Sequence, residues 1–322
     1  APGAIMSRRR ATTSRRRATL WLTRWRERLR RRLRQYRPWW RSPRRAVAAT
    51  STFPLSFSRN SKPKVTLVEW AFDSAVPGGR IRAGFTSRRG GISQGPYASF
   101  NLGLHVGDDP ASVARNRLSL SDEVGFIAWM DQVHGANVEV VDKRVRSFAA
   151  PGRTFADTDG LVIDASLQPC AAAVMVADCV PLLLSASNAP IAAAVHVGRS
   201  GLFKGIAAVA VKAMAARGAR QIRAHIGPSI CGRCYEVPAH LRDEAESCAP
   251  GSYSKTSWGT PAIDIPEALE LQLRKEGVDE VVRSEICTME DARYFSHRRE
   301  MAAKRACGRF VGIVEVTRDT PF

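Results

Sequence analysis

Three short unbroken apolar runs, residues 170–176, 182–185 and 191–197, occupy the middle of the chain. Runs of this length without polar interruption suit strands buried on both faces. Residues 65–70 and 80–86 also read as strands, followed by a basic and flexible turn at Arg88-Arg-Gly-Gly91, and residues 137–142 alternate as a strand. Elsewhere the period lengthens to three and four. Asp109 and Pro110 form a helix start, because Asp caps exposed amides and Pro is tolerated in the first turn. That helix is expected to run through Val113, Asn116, Arg117 and Leu120 to about Val124. Residues 201–216 place Leu202, Ile206, Val209, Ala210 and Met214 on one face and stop at Gly218. Residues 238–248 and 266–276 predict further helices, and residues 309–316 a closing strand. Strands and helices mix without strict alternation, which predicts an α+β fold with one large domain of mixed sheets flanked by helices.

Charge divides the chain. The net charge is +19, yet residues 1–48 hold 17 arginines against one acid, Glu27. The basic character therefore belongs to an N-terminal extension, residues 1–60, and the rest, residues 61–322, is nearly balanced. Like charges at such density oppose folding, so the extension is expected to be disordered. Within it Leu22, Trp25, Leu29, Leu33 and Tyr36 recur at helical steps. A helix there would carry an apolar stripe on an arginine-rich cylinder, suited to an anionic membrane surface or to nucleic acid phosphates. No apolar run reaches the roughly 18 residues of a membrane span, and no signal-peptide core follows the basic start. The seven cysteines show no tight framework. Both points predict a protein of the reducing cytoplasm.

The candidate chemistry lies in three short segments: His134 in Asp131-Gln-Val-His-Gly135, Cys179 in Ala177-Asp-Cys-Val-Pro181, and His196 in Ala194-Val-His-Val-Gly198. Two imidazoles and a thiolate suit Zn2+, and three protein ligands leave an open position, as in catalytic zinc sites. A histidine or cysteine at a strand end is otherwise ordinary packing. Asp178, beside Cys179, is open to either a supporting or a purely structural role. Cys231-Gly-Arg-Cys234 is read as two buried or loop thiols rather than as a redox pair or half of a zinc site, since no second pair accompanies it.

The ordered blocks decide between these readings. Gly84–Ser93, Asn101–Asp109, Asp131–Gly135, Ala156–Val162, Val176–Leu182, Ala194–Arg199, Ile226–Ile230, Tyr294–Arg299 and Gly308-Arg309 appear in sequence. Together they resemble the laccase-domain (YfiH-type) family, once called polyphenol oxidases and now understood as purine nucleoside phosphorylases. The likeness spans residues 65–316 and excludes the arginine-rich extension. It implies a layered α/β/β/α sandwich and a zinc-dependent phosphorylase. The substrates implied are adenosine and inosine, with guanosine and methylthioadenosine as further candidates, phosphate as co-substrate and adenosine deamination as a side activity. Phosphate needs cationic donors, and Arg88, Arg117 and Arg199 are candidates, since arginine offers a planar fork to phosphate oxygens. Arg117 and Arg199 fall in matched blocks. Asn101, in another, is a candidate to hydrogen-bond the ribose or base, with a turn-forming role before Gly103 as the plain alternative. Cys287 lies in a further matched block and is a candidate to approach the pocket. The chain departs from the family at His196-Val-Gly-Arg-Ser-Gly201, where the usual tryptophan is missing and the arginine is displaced by one.

Six histidines and no His-x-His pair are too few for a multicopper oxidase. A cytidine-type deaminase needs His-x-Glu and Pro-Cys-x-x-Cys, and neither occurs. A cysteine–histidine hydrolase acting on cell-wall precursors, with Cys179 as nucleophile, is the alternative enzyme. Binding to nucleic acid or a membrane surface through the arginine-rich extension is the non-enzymatic alternative. No obligatory partner of either kind is expected for the catalytic domain.

Overall fold

The computed structural model describes residues 66–142 and 154–319. These lie in the compact unit Lys62–Phe322. The helix expected around Leu22–Tyr36 and the disorder expected for residues 1–60 fall outside the described residues.

Two mixed sheets stack face to face. The first has five strands. β1 (Val68–Val76), β2 (Gly79–Thr86), β13 (Phe310–Arg318) and β6 (Cys170–Val176) pair antiparallel in that order, and β3 (Ile127–Trp129) joins β6 in parallel. The second has six, ordered β12 (Glu280–Arg283), β9 (Ile222–Ile226), β7 (Val180–Ala186), β8 (Ile191–Val197), β5 (Gly160–Asp164) and β4 (Val138–Val141). A small antiparallel pair, β10 (Tyr253–Lys255) and β11 (Pro261–Ile263), stands apart.

The side-chain period explains the stacking. On β7, Leu182 and Leu184 face one way and Leu183 the other; on β8, Val195 and Val197 oppose Ala192 and Ala194. Leu183, Ala192 and Ala194 pack against Ala83, Ala172, Val174, Phe310 and Val314 of the first sheet, forming the inner core. The opposite face of the second sheet is covered by α2 (Arg199–Phe203), α3 (Ile206–Ala216), α4 (Ala239–Cys248) and α5 (Ile265–Lys275). The outer face of the first sheet packs on α1 (Pro110–Val124) through Leu120 and Val124, with Phe100 and Leu102 beside them. The order of layers is thus α/β/β/α, and the α+β class holds. Burying both faces of β6, β7 and β8 accounts for their unbroken apolar runs.

Local chemistry sets the element ends. Asp109 caps α1, its carboxylate accepting from the amides of Ala111 and Ser112, with Pro110 in the first turn. The single helix expected over residues 201–216 is in fact two. The chain breaks at Gly205, which takes the left-handed conformation (φ 69°) that a residue without Cβ adopts at little cost. The turn at 88–91 is firmly held, contrary to the flexible turn expected. Arg88 donates to the carbonyl of Ala98 at 2.7 Å, and its guanidinium lies 4.6 Å from the Phe295 ring centroid.

One residue in the inner core titrates out of range. His225 on β9 is buried beside Phe72, and neither ring nitrogen has a hydrogen-bond partner. Burial, aided by Arg223, pushes its pKa down to about 4. The unfolded chain takes up this proton near pH 6.5, whereas the folded chain resists it until about pH 4. Stability should therefore be fully present above pH 6.5 and fall by up to about 1.4 kcal/mol per pH unit on acidification through that window. Denaturant midpoints between pH 7 and pH 4.5 check this, and His225→Phe should flatten the slope.

Candidate metal centre and substrate cavity

The predicted metal ligands meet at the end of the second sheet where β7 begins and β8 finishes. Cys179 immediately precedes β7, His196 is the penultimate residue of β8, and His134 lies in the loop after β3. His196 pairs in register with Pro181, two residues from Cys179, so the sheet itself fixes these two side chains together on its inner face. His134 is brought in by a loop, not by a strand end as the apolar pattern suggested, and it takes a left-handed conformation (φ 59°). One donor atom from each of the three lies within 4.8 Å of the other two. The imidazole rings of His134 and His196 meet edge to face with centroids 4.7 Å apart, and His134 Nε2 is 3.9 Å from Cys179 Sγ. A Cβ at Gly198 would come within 2.8 Å of the His134 ring, so only glycine leaves it room.

Asp159, just before β5, organises the centre and was not singled out from the sequence. Its carboxylate is fully buried. One oxygen lies 2.8 Å from His196 Nδ1 and accepts the His134 amide at 3.0 Å; the other accepts the amides of Val133 at 3.2 Å and Gly135 at 2.7 Å. With Nδ1 engaged, Nε2 of His196 is the atom free to face Cys179 and His134. A carboxylate behind a ligating histidine is the usual support of a metal site, because it fixes tautomer and ring orientation.

The electrostatics follow from this packing. Burial alone would hold the Cys179 thiol up, but His196 and His134 outweigh it and bring the pKa to about 6. Burial alone would depress His196, but Cys179 and Asp159 outweigh it and raise the pKa to about 9. Asp159 is likewise driven below the ordinary carboxylate range by His196 and the Gly135 amide, against the burial that opposes its charge. A thiolate, an oriented imidazole and a second imidazole within reach of one point could hold a metal ion.

The centre forms one wall of a cavity of about 200 Å3, lined also by His105, Gln132, Met175, Val176, Ala177, His297 and Arg309. No carboxylate lines it. Asn101 Oδ1 accepts the Arg309 amide at 2.8 Å, and Nη1 of the Arg309 guanidinium donates to the carbonyls of Cys307 at 3.0 Å and Gly308 at 2.9 Å. Arg117 stands behind Met175, its guanidinium 3.9 Å from the Trp129 ring centroid and donating to the Leu102 carbonyl at 2.8 Å and toward Met175 Sδ at 3.3 Å. Burial pulls its pKa down to about 10. His105 is depressed first by burial and then by Arg309 and Arg117, so this end of the cavity is electropositive.

The other sequence candidates are placed differently. Asn101 is buried, its amide donating to Asp108 and the Gly103 carbonyl and its oxygen accepting from Gly103 and Arg309. Its side chain does not line the cavity. Arg199 opens α2 near Tyr235, outside the lining. Arg88 is engaged by backbone carbonyls. Cys287 is buried away from the cavity. Asp178 accepts from Thr288 Oγ1 and the Arg298 amide, both at 2.6 Å, and so ties the start of β7 to residues 288–298. Asp159, His105, His297 and Arg309 all sit in the ordered blocks, but nothing in their spacing alone distinguished them.

Residues 82–317 match the family model described as multi-copper polyphenol oxidoreductase laccase. The chain belongs to this family. It is 45% identical over 242 residues to a Mycobacterium tuberculosis protein named purine nucleoside phosphorylase Rv2149c, covering 73% of this chain and 92% of that one. It is 42% identical over 245 residues to a Streptomyces griseus protein named purine nucleoside phosphorylase ORF3, covering 73% and 94%. The crystal structure of YlmD from Geobacillus stearothermophilus superposes with a TM-score of 0.65 at 32% identity, covering 78% of this chain and all of that one. Relatives so named at this identity support an enzyme of the same kind. None of the described helices is long and apolar enough to cross a membrane.

Proposed function

We propose that residues 61–322 form a zinc-dependent purine nucleoside phosphorylase that acts in a reducing cytoplasm. It would convert adenosine, inosine, and by extension guanosine and methylthioadenosine, with phosphate to the free base and ribose 1-phosphate, with adenosine deamination as a side activity. The observation that carries this reading is the two-histidine, one-cysteine donor set opening onto an acid-free cavity that ends at Arg309. The names of the relatives supply the reaction class.

The chain's own residues divide the work. Arg309 binds phosphate directly, and Arg117 adds positive potential from behind Met175. Neutralised in this way, a phosphate oxygen can approach the anomeric carbon without repulsion. The C–O bond forms as the glycosidic C–N bond breaks, its electron pair leaves with the purine, and the purine nitrogen takes the proton that the entering hydrogen phosphate gives up. His105 and His297 supply hydrogen bonds to sugar and base, and Gln132, paired with the amide and carbonyl of Met175, shapes the wall between them. His105, depressed by its surroundings, serves as a neutral partner. Asn101 acts through Arg309 by holding its amide, and Arg199 is assigned to the outer approach beside Tyr235. Zinc fits the donor set, and when bound it supplies Lewis acidity to that wall of the cavity.

The low pKa of Cys179 and its 3.9 Å approach to His134 favour a second reading, the cysteine–histidine hydrolase. Cys179→Ala separates the two. Under the phosphorylase reading it strips zinc from the centre, and phosphate-dependent base release is lost only to the extent that the metal shapes the site. If zinc-loaded wild-type protein releases no base from adenosine, inosine or guanosine with ample phosphate, the phosphorylase reading fails and the hydrolase leads.

A further inference from the structure

A second cluster of potential ligands lies outside the cavity. Cys231, Cys234, Cys287 and Glu290 bring three sulfurs and a carboxylate oxygen within 4.8 Å of one another. Two separate segments supply them, and the two are built alike. In Cys231-Gly-Arg-Cys234 the amide of Cys234 donates to the Cys231 carbonyl at 3.0 Å, and the amide of Arg233 points at the Cys231 sulfur. In Cys287-Thr-Met-Glu290 the amide of Glu290 donates to the Cys287 carbonyl at 3.1 Å, and the amide of Met289 points at the Cys287 sulfur. Each is a tight turn of spacing Cys-x-x-ligand with backbone amides aimed at its first sulfur. The turns face each other across a parallel bridge between Ser229 and Cys287, where the Thr288 amide donates to the Ser229 carbonyl at 3.0 Å.

We propose that these facing turns bind one zinc ion through the thiolates of Cys231, Cys234 and Cys287 and the carboxylate of Glu290, as a closed structural site. Soft thiolates with one oxygen suit zinc, and tetrahedral bonds of about 2.3 Å place ligand atoms about 3.8 Å apart, compatible with the observed cluster. Cys234 and Cys287 are both 4% exposed, so their sulfurs are already gathered out of solvent. The small cluster around them has only Ile230, Tyr235 and Met289 as apolar neighbours, too little to hold two turns together by burial alone. The backbone amides of Cys231, Met289 and Glu290 all point at the Cys287 sulfur, so the turns converge on it. Three sulfurs also leave one unpaired in any disulfide, whereas all three can serve one cation. Arg233 near Glu290, and Arg299 donating to the carbonyls of Thr288 and Met289, offset the negative ligand set.

The site has a mechanical role. The Ile230 amide, one residue before the first turn, donates to the Asp178 carbonyl at 3.0 Å, and Thr288, in the second turn, donates to the Asp178 carboxylate. A cation joining the turns therefore stiffens both supports of the residue next to Cys179, without touching the cavity.

Metal analysis of the full chain tests this independently of the first centre. Cys231→Ser and Cys287→Ser should each lower zinc content by one equivalent relative to wild type, whether or not the Cys179 centre is loaded. Cys179→Ala should leave this equivalent in place. Should a serine variant fail to fold, alkylation of the wild-type chain decides: Cys231 is protected with zinc present and alkylated after chelation. Wild-type zinc content in both serine variants would overturn the proposal. So would equal alkylation of Cys231 with and without chelator, or a disulfide among the three cysteines in protein prepared under reducing conditions.

Discussion

Asp159→Ala should weaken metal binding about 10- to 100-fold, the cost typical of losing a carboxylate that orients a ligating histidine. The same change should destabilise the fold. The carboxylate accepts three backbone amides from residues 133–135 as well as His196 Nδ1. A fully buried donor left unpaired costs about 1–3 kcal/mol, and these amides belong to a loop that water reaches, so a loss on the order of 1–3 kcal/mol in all is expected. Asp159→Asn keeps the volume and one acceptor oxygen, and should fall between wild type and alanine in both measures. Chelator competition reads the affinity, and denaturant unfolding of the metal-free protein reads the stability. Wild-type affinity in Asp159→Ala would mean that the 133–135 loop and His196 hold their geometry unaided, and would remove Asp159 from the centre.

Arg309→Ala should cut phosphorolysis about a hundredfold or more, since one well-placed donor to developing charge typically contributes a few kcal/mol. The loss should appear mainly as a weaker response to phosphate, with the KM for nucleoside little changed. Arg309 suits this test because its place is fixed by its backbone amide on Asn101, and its guanidinium lines the cavity while donating to the carbonyls of Cys307 and Gly308. Arg117→Ala is the less clean comparison, because it also removes the packing of a half-buried guanidinium against Trp129. Arg309→Lys should recover part of the rate, as the charge returns without the planar fork. Unchanged phosphate kinetics in Arg309→Ala would take this residue off the phosphate path and leave Arg117 and Arg199 to be tested.

Much of the fold was legible because its central strands are buried on both faces. β6 and β8 appear with the same boundaries as their apolar runs, and α1 is announced by Asp109-Pro110. The strands that escaped notice are short or polar. β9 reads Ile-Arg-Ala-His-Ile and β12 Glu-Val-Val-Arg, where charge at the sheet periphery hides the alternation. The break at Gly205 escaped because the apolar face continues across it from Leu202 to Ile206. At the site, residue type and matched blocks were enough to bring out His134, Cys179 and His196. Asp159 and Arg309 were not, because their roles depend on which backbone amide meets which oxygen, a relation between segments distant in sequence. The partners of Asn101 were hidden for the same reason: its side chain is engaged by Gly103, Asp108 and the Arg309 amide, two of them within its own loop and one far along the chain.

The seam between the sheets also bears on the order of events in assembly. His134, Asp159, Cys179 and His196 come from four segments, and none brings two ligands of the first centre on one local turn. Contacts of such sequence separation form late, after the loop-closure entropy of both sheets has been overcome. A growing or partly folded chain would thus present no competent pocket for the ion, and loading becomes a report that β7, β8 and the 131–135 loop have all docked. Metal uptake followed in real time during refolding would then trail the appearance of native sheet, making the ion a marker of completed folding rather than its seed.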